Sequence, residues 1–102
     1  MDEIILLLAH IDGELDDAHA YATLALEYKA RDPATADLFA RLSEEEMVHM
    51  RSLQTSVERL LEGLRRQKGE IPADVAAVYQ HLHRKNIARA EQVGVLQSMY
   101  SK

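Results

Sequence analysis

Cysteine and tryptophan are absent from this chain of 102 residues, which has only one phenylalanine, two prolines and four glycines. Without cysteine the chain has no disulfides and no thiolate metal ligands, which suits a cytoplasmic protein. Long apolar runs are also missing. The run from Ile4 to Ala9 is too short to cross a membrane, and it follows Asp2 and Glu3, where a signal peptide carries positive charge. We therefore expect a cytoplasmic protein that does not enter a membrane.

Positive charge is scarce relative to negative charge. The formal net charge is −5, which argues against nucleic acid as a partner and is compatible with attracting cations. Hydrophobic residues make up 47% of the chain and charged residues 28%, as in a soluble globular or bundle protein. Ala, Leu, Glu and Arg dominate the composition, and all four favour helices. Residues 1–102 are thus expected to form a single helical domain.

Strong helix breakers occur at only two places in the sequence. Asp32 can cap a helix that begins at Pro33, and Gly69 can end that helix before Pro72 begins the next. These breaks predict helices over about residues 2–30, 33–68 and 72–100. No stretch alternates with a period of two, so the predicted fold is all-α. The tight connection at Asp32 and Pro33 predicts that the first two helices form a long antiparallel hairpin.

The first predicted helix has an apolar stripe with alternating spacings of four and three residues, as in a bundle seam. The stripe comprises Ile4, Leu8, Ile11, Leu15, Ala18, Ala22 and Ala25. A second row lies beside it and comprises Leu7, His10, Glu14, Asp17, Tyr21, Leu24 and Tyr28. Glu14 is therefore expected at the edge of the buried face, with Tyr21 two turns further along the same row.

The second predicted helix carries ionisable residues within its apolar stripe. The stripe comprises Phe39, Leu42, Glu46, His49, Leu53, Val57 and Leu60. Burying Glu46 and His49 without partners would cost several kcal/mol, and their spacing of three residues directs both side chains into the same space. A Glu-x-x-His pair on one helix with a Glu on the facing helix is the ligand pattern of di-iron carboxylate bundles. Glu14, Glu46 and His49 are therefore the candidate metal ligands and catalytic residues.

One chain supplies only half of such a site, because a complete one needs two Glu-x-x-His pairs and two further Glu residues. The third helix offers no second pair. Glu91 is followed three residues later by Gly94, and neither His81 nor His83 has a Glu three positions before it. A two-fold homodimer would supply each ligand twice. The sequence therefore predicts a four-helix bundle completed by dimerisation, with two metal ions per dimer.

These residues resemble the ferritin-like superfamily, and within it the encapsulated-ferritin type, in which each chain carries half a ferritin bundle. The resemblance rests on Glu14 followed by Tyr21, on the Asp32-Pro33 break and on the run Glu44-Glu45-Glu46-Met47-Val48-His49. It covers about residues 11–61 of the chain.

The resemblance implies both a site and a function. It implies that Glu46 bridges two iron ions, that Glu14 and His49 are the other ligands, and that the Tyr21 hydroxyl lies near the site. It further implies oxidation of Fe(II) to Fe(III) by dioxygen at a ferroxidase centre, and dimers that can assemble into a larger oligomer or ring. The product would pass to an encapsulating shell, which would place the protein inside a protein compartment.

Two other interpretations stay open. The same ligands can hold Mn, Zn or Ca without catalysis, since ligand type alone does not separate these metals from iron. Alternatively, Glu46 and His49 form a metal-free polar pair that fixes the register of a helical oligomerisation module. Asp17 is expected near the site as a solvated or hydrogen-bonding residue, and packing is an equal alternative for Tyr21.

The third predicted helix has a less regular pattern. Its expected contacts are Val75, Val78, Leu82, Val93, Leu96 and Tyr100. The polar segment Arg84-Lys85-Asn86 interrupts this stripe, which predicts two separate packing patches. His81 and His83 are two residues apart, so they face different directions and cannot chelate one ion together.

Overall fold

The computed structural model describes residues 2–102 and consists of three α-helices: α1 (Asp2–Tyr28), α2 (Pro33–Lys68) and α3 (Ala73–Ser101). No strand occurs in this part of the chain, so the all-α prediction is confirmed. Each helix end lies within two residues of the predicted one. The molecule is elongated, with dimensions of 56 × 19 × 17 Å. None of the helices within residues 2–102 combines the length and apolarity needed to cross a membrane.

Local chemistry sets both breaks between the helices. The Asp32 carboxylate accepts hydrogen bonds from the Thr35 hydroxyl at 2.6 Å and the Thr35 backbone N–H at 3.2 Å, and these bonds lower the pKa of Asp32. Pro33 follows in the first turn of α2, where its missing N–H costs no hydrogen bond. Gly69 ends α2 with a φ of 81°, a left-handed conformation that glycine adopts without steric penalty. Both predicted breaks are confirmed.

The three helices run up, down and up, with α3 against one side of the α1–α2 hairpin. Arg89 of α3 forms ion pairs with Asp12 and Asp16 of α1. Near the end of α3, the Tyr100 hydroxyl donates to the Asp37 carboxylate at the start of α2. This hydrogen bond is the main reason that the pKa of Tyr100 is raised. These contacts place α3 antiparallel to α2 and parallel to α1.

The core confirms the predicted stripe of α1 completely. The buried residues of α1 are Ile4, Leu8, Ile11, Leu15, Ala18, Ala22 and Ala25. The side chains become small toward the C-terminal end of this stripe, so α2 can approach α1 closely there.

The predicted stripe of α2 is right in part: Val57 is buried, and Leu53 and Leu60 are half-buried against the core, but the most buried row of α2 is the neighbouring one. The residues that α2 buries are Ala36, Ser43, Met47, Val57 and Leu61. The reason is side-chain size. Ala36 and Ser43 are fully buried, as are Ala18 and Ala22 on α1. Larger side chains at these positions would hold the two helices apart. The row with Glu46 is therefore displaced to the edge of the hairpin.

Ser43 shows why a polar residue occupies this close contact. Its hydroxyl donates to the carbonyl oxygen of Ala18 on α1 at 2.7 Å. The Ser43 hydroxyl oxygen itself accepts a hydrogen bond from Nε2 of Gln97 on α3 at 2.9 Å. One buried hydroxyl thus joins all three helices, and its hydrogen-bonding groups are satisfied.

The packing of α3 differs from the prediction at two positions. Val75 and Val93 are buried as expected, but Val78 is exposed and Asn86 is buried. Asn86 lies four residues after Leu82 and seven before Val93, so it continues the apolar stripe instead of interrupting it. The prediction of two separate packing patches is therefore wrong.

Candidate metal centre

Glu14, Glu46 and His49 come together in the middle of the hairpin. The Nδ1 atom of His49 lies 3.5 Å from Oε2 of Glu14 and 3.7 Å from Oε2 of Glu46. One ligand atom from each of the three residues lies within 4.8 Å of the other two. Helix α1 supplies the first ligand, and one turn of α2 supplies the other two, because a spacing of three residues keeps side chains on one side of a helix.

The three side chains lie at an edge and not inside the bundle. The exposed fraction of the side chain is 25% for Glu14, 18% for Glu46 and 58% for His49. His49 is exposed in the single chain because the inner row of α2 is the neighbouring one. Despite this position, Oε2 of Glu14 is enclosed and has no hydrogen-bond partner.

The geometry and the donor types suit a cation. The distances of 3.5 and 3.7 Å from His49 Nδ1 are longer than good hydrogen bonds of about 2.7–3.2 Å. Ligand atoms that each lie about 2.0–2.2 Å from one transition-metal ion are at most about 4.4 Å apart, so a small side-chain adjustment brings the set into range. An enclosed carboxylate oxygen without a donor is the group that such an ion would satisfy. Carboxylates and imidazole suit iron, manganese and zinc.

The cluster faces away from α3. Asp12 and Asp16 of α1 contact α3, and Glu14 lies two residues from each, on the opposite side of a helix with 3.6 residues per turn. We call this side of the hairpin the open face. It carries the cluster and half-buried apolar or aromatic residues: Leu7, Tyr21, Tyr28, Phe39, Leu42, Leu53 and Leu60.

Aromatic side chains flank the cluster on the open face. Phe39 of α2 stacks on Tyr21 of α1, with ring centroids 6.1 Å apart, and contacts Tyr28 at 5.9 Å. The ring of Tyr21 therefore has a packing role, while a role of its hydroxyl near the metal ligands stays a prediction. Asp17 is exposed, in agreement with a solvated residue.

Within residues 2–102, the other four histidines are not members of the cluster. His10, His19 and His81 are exposed. His83 is on α3, where its ring stacks on Tyr79 with centroids 5.0 Å apart. The geometry thus selects His49 as the imidazole that accompanies the two carboxylates.

Comparison with known protein families, with curated proteins and with solved structures returned no match.

Proposed function

We propose that this chain is a ferritin-like metalloprotein that binds iron at a site shared between two copies and oxidises Fe(II) to Fe(III) with dioxygen. The observation that supports this best is the convergence of Glu14, Glu46 and His49, with an enclosed Glu14 oxygen that lacks a hydrogen-bond donor. The helical hairpin that holds them is the half-bundle on which such sites are built.

Dimerisation through the open face is part of this proposal. One chain offers two carboxylates and one imidazole, which is half of a dinuclear ligand set. The open face runs along a molecule 56 Å long and 17 to 19 Å across, so its size suits an interface of about 800 Å² per partner. Half-buried apolar residues on both sides of the cluster would be covered by the second copy, which is the usual fate of a sizeable exposed apolar patch.

Charge balance also favours a site shared by two chains. Two copies would bring Glu14 and Glu46 twice, and these four negative charges equal the charge of two divalent cations. Without cations, the clustered carboxylates repel one another across the interface. Metal binding and dimerisation should therefore stabilise each other.

The residues have distinct tasks in this proposal. Glu46, next to His49 on α2, would bridge the two ions, while Glu14 and His49 would each hold one ion from the side. When bound, two Fe(II) ions would each give up one electron, and these two electrons with two protons from water would reduce one dioxygen to hydrogen peroxide. The two carboxylates of each chain would neutralise and orient the ions.

Aerobic Fe(II) titration tests the proposed activity. We expect ferric absorbance to rise faster than in buffer and to saturate near one iron per chain, because each chain contributes half of a dinuclear site. Anaerobic addition of the same Fe(II) is the control and should give binding without the ferric signal. A rate equal to that of buffer, with iron nevertheless bound, would leave a metal-binding protein without ferroxidase activity.

A metal-free dimer is the second candidate. The distances of His49 Nδ1 from both carboxylates also suit an ion pair in which a protonated imidazole lies between Glu14 and Glu46. In that case, the cluster would fix the register of two hairpins instead of binding an ion. Iron that fails to bind at all would favour this candidate.

A further inference from the structure

A cavity of about 330 Å³ lies between α2 and α3, and none of the three metal-ligand residues lines it. The cavity exists because α3 packs mainly against α1 and leaves space along α2. Ile11, Met50, Ile87 and Ala90 form its apolar wall. Pockets of about 300–1,000 Å³ with mostly apolar walls and a few placed polar groups are typical of sites for small organic molecules.

Two polar atoms beside this cavity have no hydrogen-bond partner. Asn86 is only 8% exposed, and its Nδ2 is buried without an acceptor. Nδ1 of His83 is also buried and unpaired. Both residues line the cavity, and their spacing of three residues places them on the same side of α3. Since buried polar groups in folded proteins nearly always have a partner, these two atoms indicate a polar group in the cavity.

Neighbouring residues hold the His83 ring in place and add positive charge at the edge of the cavity. The His83 ring stacks on Tyr79, and Tyr79 is held in turn by a hydrogen bond of 2.9 Å from Gln54 Nε2 to its hydroxyl. Arg51 is exposed at the edge of the cavity. Its guanidinium takes part in none of the ion pairs found within residues 2–102, so its charge is free to meet an anion.

We propose that this cavity binds a small amphipathic carboxylate. The carboxylate accepts hydrogen bonds from Nδ2 of Asn86 and from Nδ1–H of the His83 ring. Arg51 provides the countercharge at the opening, because a carboxylate can accept from several donors at once. The aliphatic or aromatic tail lies against Ile11 and Met50. This site is independent of the metal ligands, which lie on the open face.

Titration of the full chain with octanoate tests this site. The readouts are calorimetry and the side-chain amide resonances of Asn86 in nitrogen-15 correlation spectra. We expect saturable binding, with the Asn86 amide among the most strongly shifted resonances. Octan-1-ol should bind at least about tenfold more weakly, because it lacks the charged group that receives the hydrogen bonds.

Two variants separate a built site from non-specific apolar binding. Arg51→Gln and Asn86→Leu should each weaken octanoate binding by about tenfold or more. Asn86→Leu removes an unpaired buried amide, so it should unfold at a temperature no lower than that of the wild type. A Glu46→Ala, His49→Ala variant should bind octanoate like the wild type, which separates this test from that of the metal site.

Three results would overturn the proposal. The first is an affinity for octan-1-ol equal to that for octanoate, which would show that the carboxylate is not recognised. The second is that both variants bind octanoate as the wild type does, which would place the binding elsewhere on the chain. The third is that octanoate does not bind saturably and that the Asn86 amide gives a cross-relaxation signal from bound water. This result would show that the cavity holds only water.

Discussion

A Glu46→Ala, His49→Ala variant should lose catalysed Fe(II) oxidation and retain the helical fold. The two side chains supply two of the three ligands in each chain. Loss of each side chain should weaken metal binding by about a hundredfold, because only a few ligands share the whole free energy of metal binding. The fold should persist because both side chains are partly exposed and alanine favours helices. The measurements are ferric absorbance on aerobic Fe(II) addition and far-ultraviolet circular dichroism.

The matched control is a Glu44→Ala, Glu45→Ala variant. Both residues are exposed on the same turn of α2 but lie outside the cluster. This variant loses two carboxylates, one more than the first variant, so it tests whether negative charge alone attracts iron. Oxidation at the wild-type rate in the control and at the buffer rate in the first variant would assign the activity to the cluster. Equal loss in both variants would contradict the assignment.

Leu38→Lys should separate the dimer and weaken metal binding with it. Leu38 is 45% exposed in the single chain, and it lies four residues before Leu42 and eleven before His49, on the side of α2 that borders the open face. On dimerisation, the charge of a lysine at this position would be buried without a countercharge. This should raise the dissociation constant of the dimer at least about tenfold. The site should lose affinity because, in the proposed dimer, its ligands come from two chains. Sedimentation velocity with and without Fe(II) or a chelator measures both effects.

Val95→Lys is the control for this experiment. Val95 is 60% exposed and belongs to α3, outside the open face. The Val95 variant should remain a dimer and bind iron like the wild type, since its new charge stays in water. In the wild type, a chelator should shift the protein toward the monomer. A monomeric Leu38 variant with unchanged iron affinity would show that one chain holds the metal alone.

The sequence pattern predicts α1 well because its apolar residues form one stripe. From Ile4 to Ala25 the spacing permits only one buried face, and Asp32, Pro33 and Gly69 define the breaks through their backbone preferences. The proximity of the three candidate ligands could also be predicted, since Glu46 and His49 share one side of α2 and Glu14 lies at the edge of the stripe of α1.

The inner face of α2 could not be predicted from periodicity. Apolar residues occupy two adjacent rows of this helix, one through Leu42 and Leu53 and the other through Met47 and Leu61. The choice between them depends on how closely α1 approaches, and Ser43 decides it through size and a hydrogen bond to α1. A pattern in one helix does not contain this information, because it arises only when two helices pack.

The cavity between α2 and α3 was likewise invisible in the sequence. Asn86 follows Arg84 and Lys85, so it resembles part of a solvated polar segment. Its burial follows from its register with Leu82 and Val93, and the enclosed Nδ1 of His83 follows from stacking on Tyr79.

The central claim is that two chains share a dinuclear metal site, and native mass spectrometry after anaerobic Fe(II) loading tests it most directly. The spectrum reports the number of chains and the number of bound ions in the same particle. We predict particles with an even number of chains and one iron per chain, the smallest being a dimer with two ions, and dissociation to metal-free single chains after chelation. A single chain that retains iron, or a dimer that forms without binding any metal, would contradict the shared site.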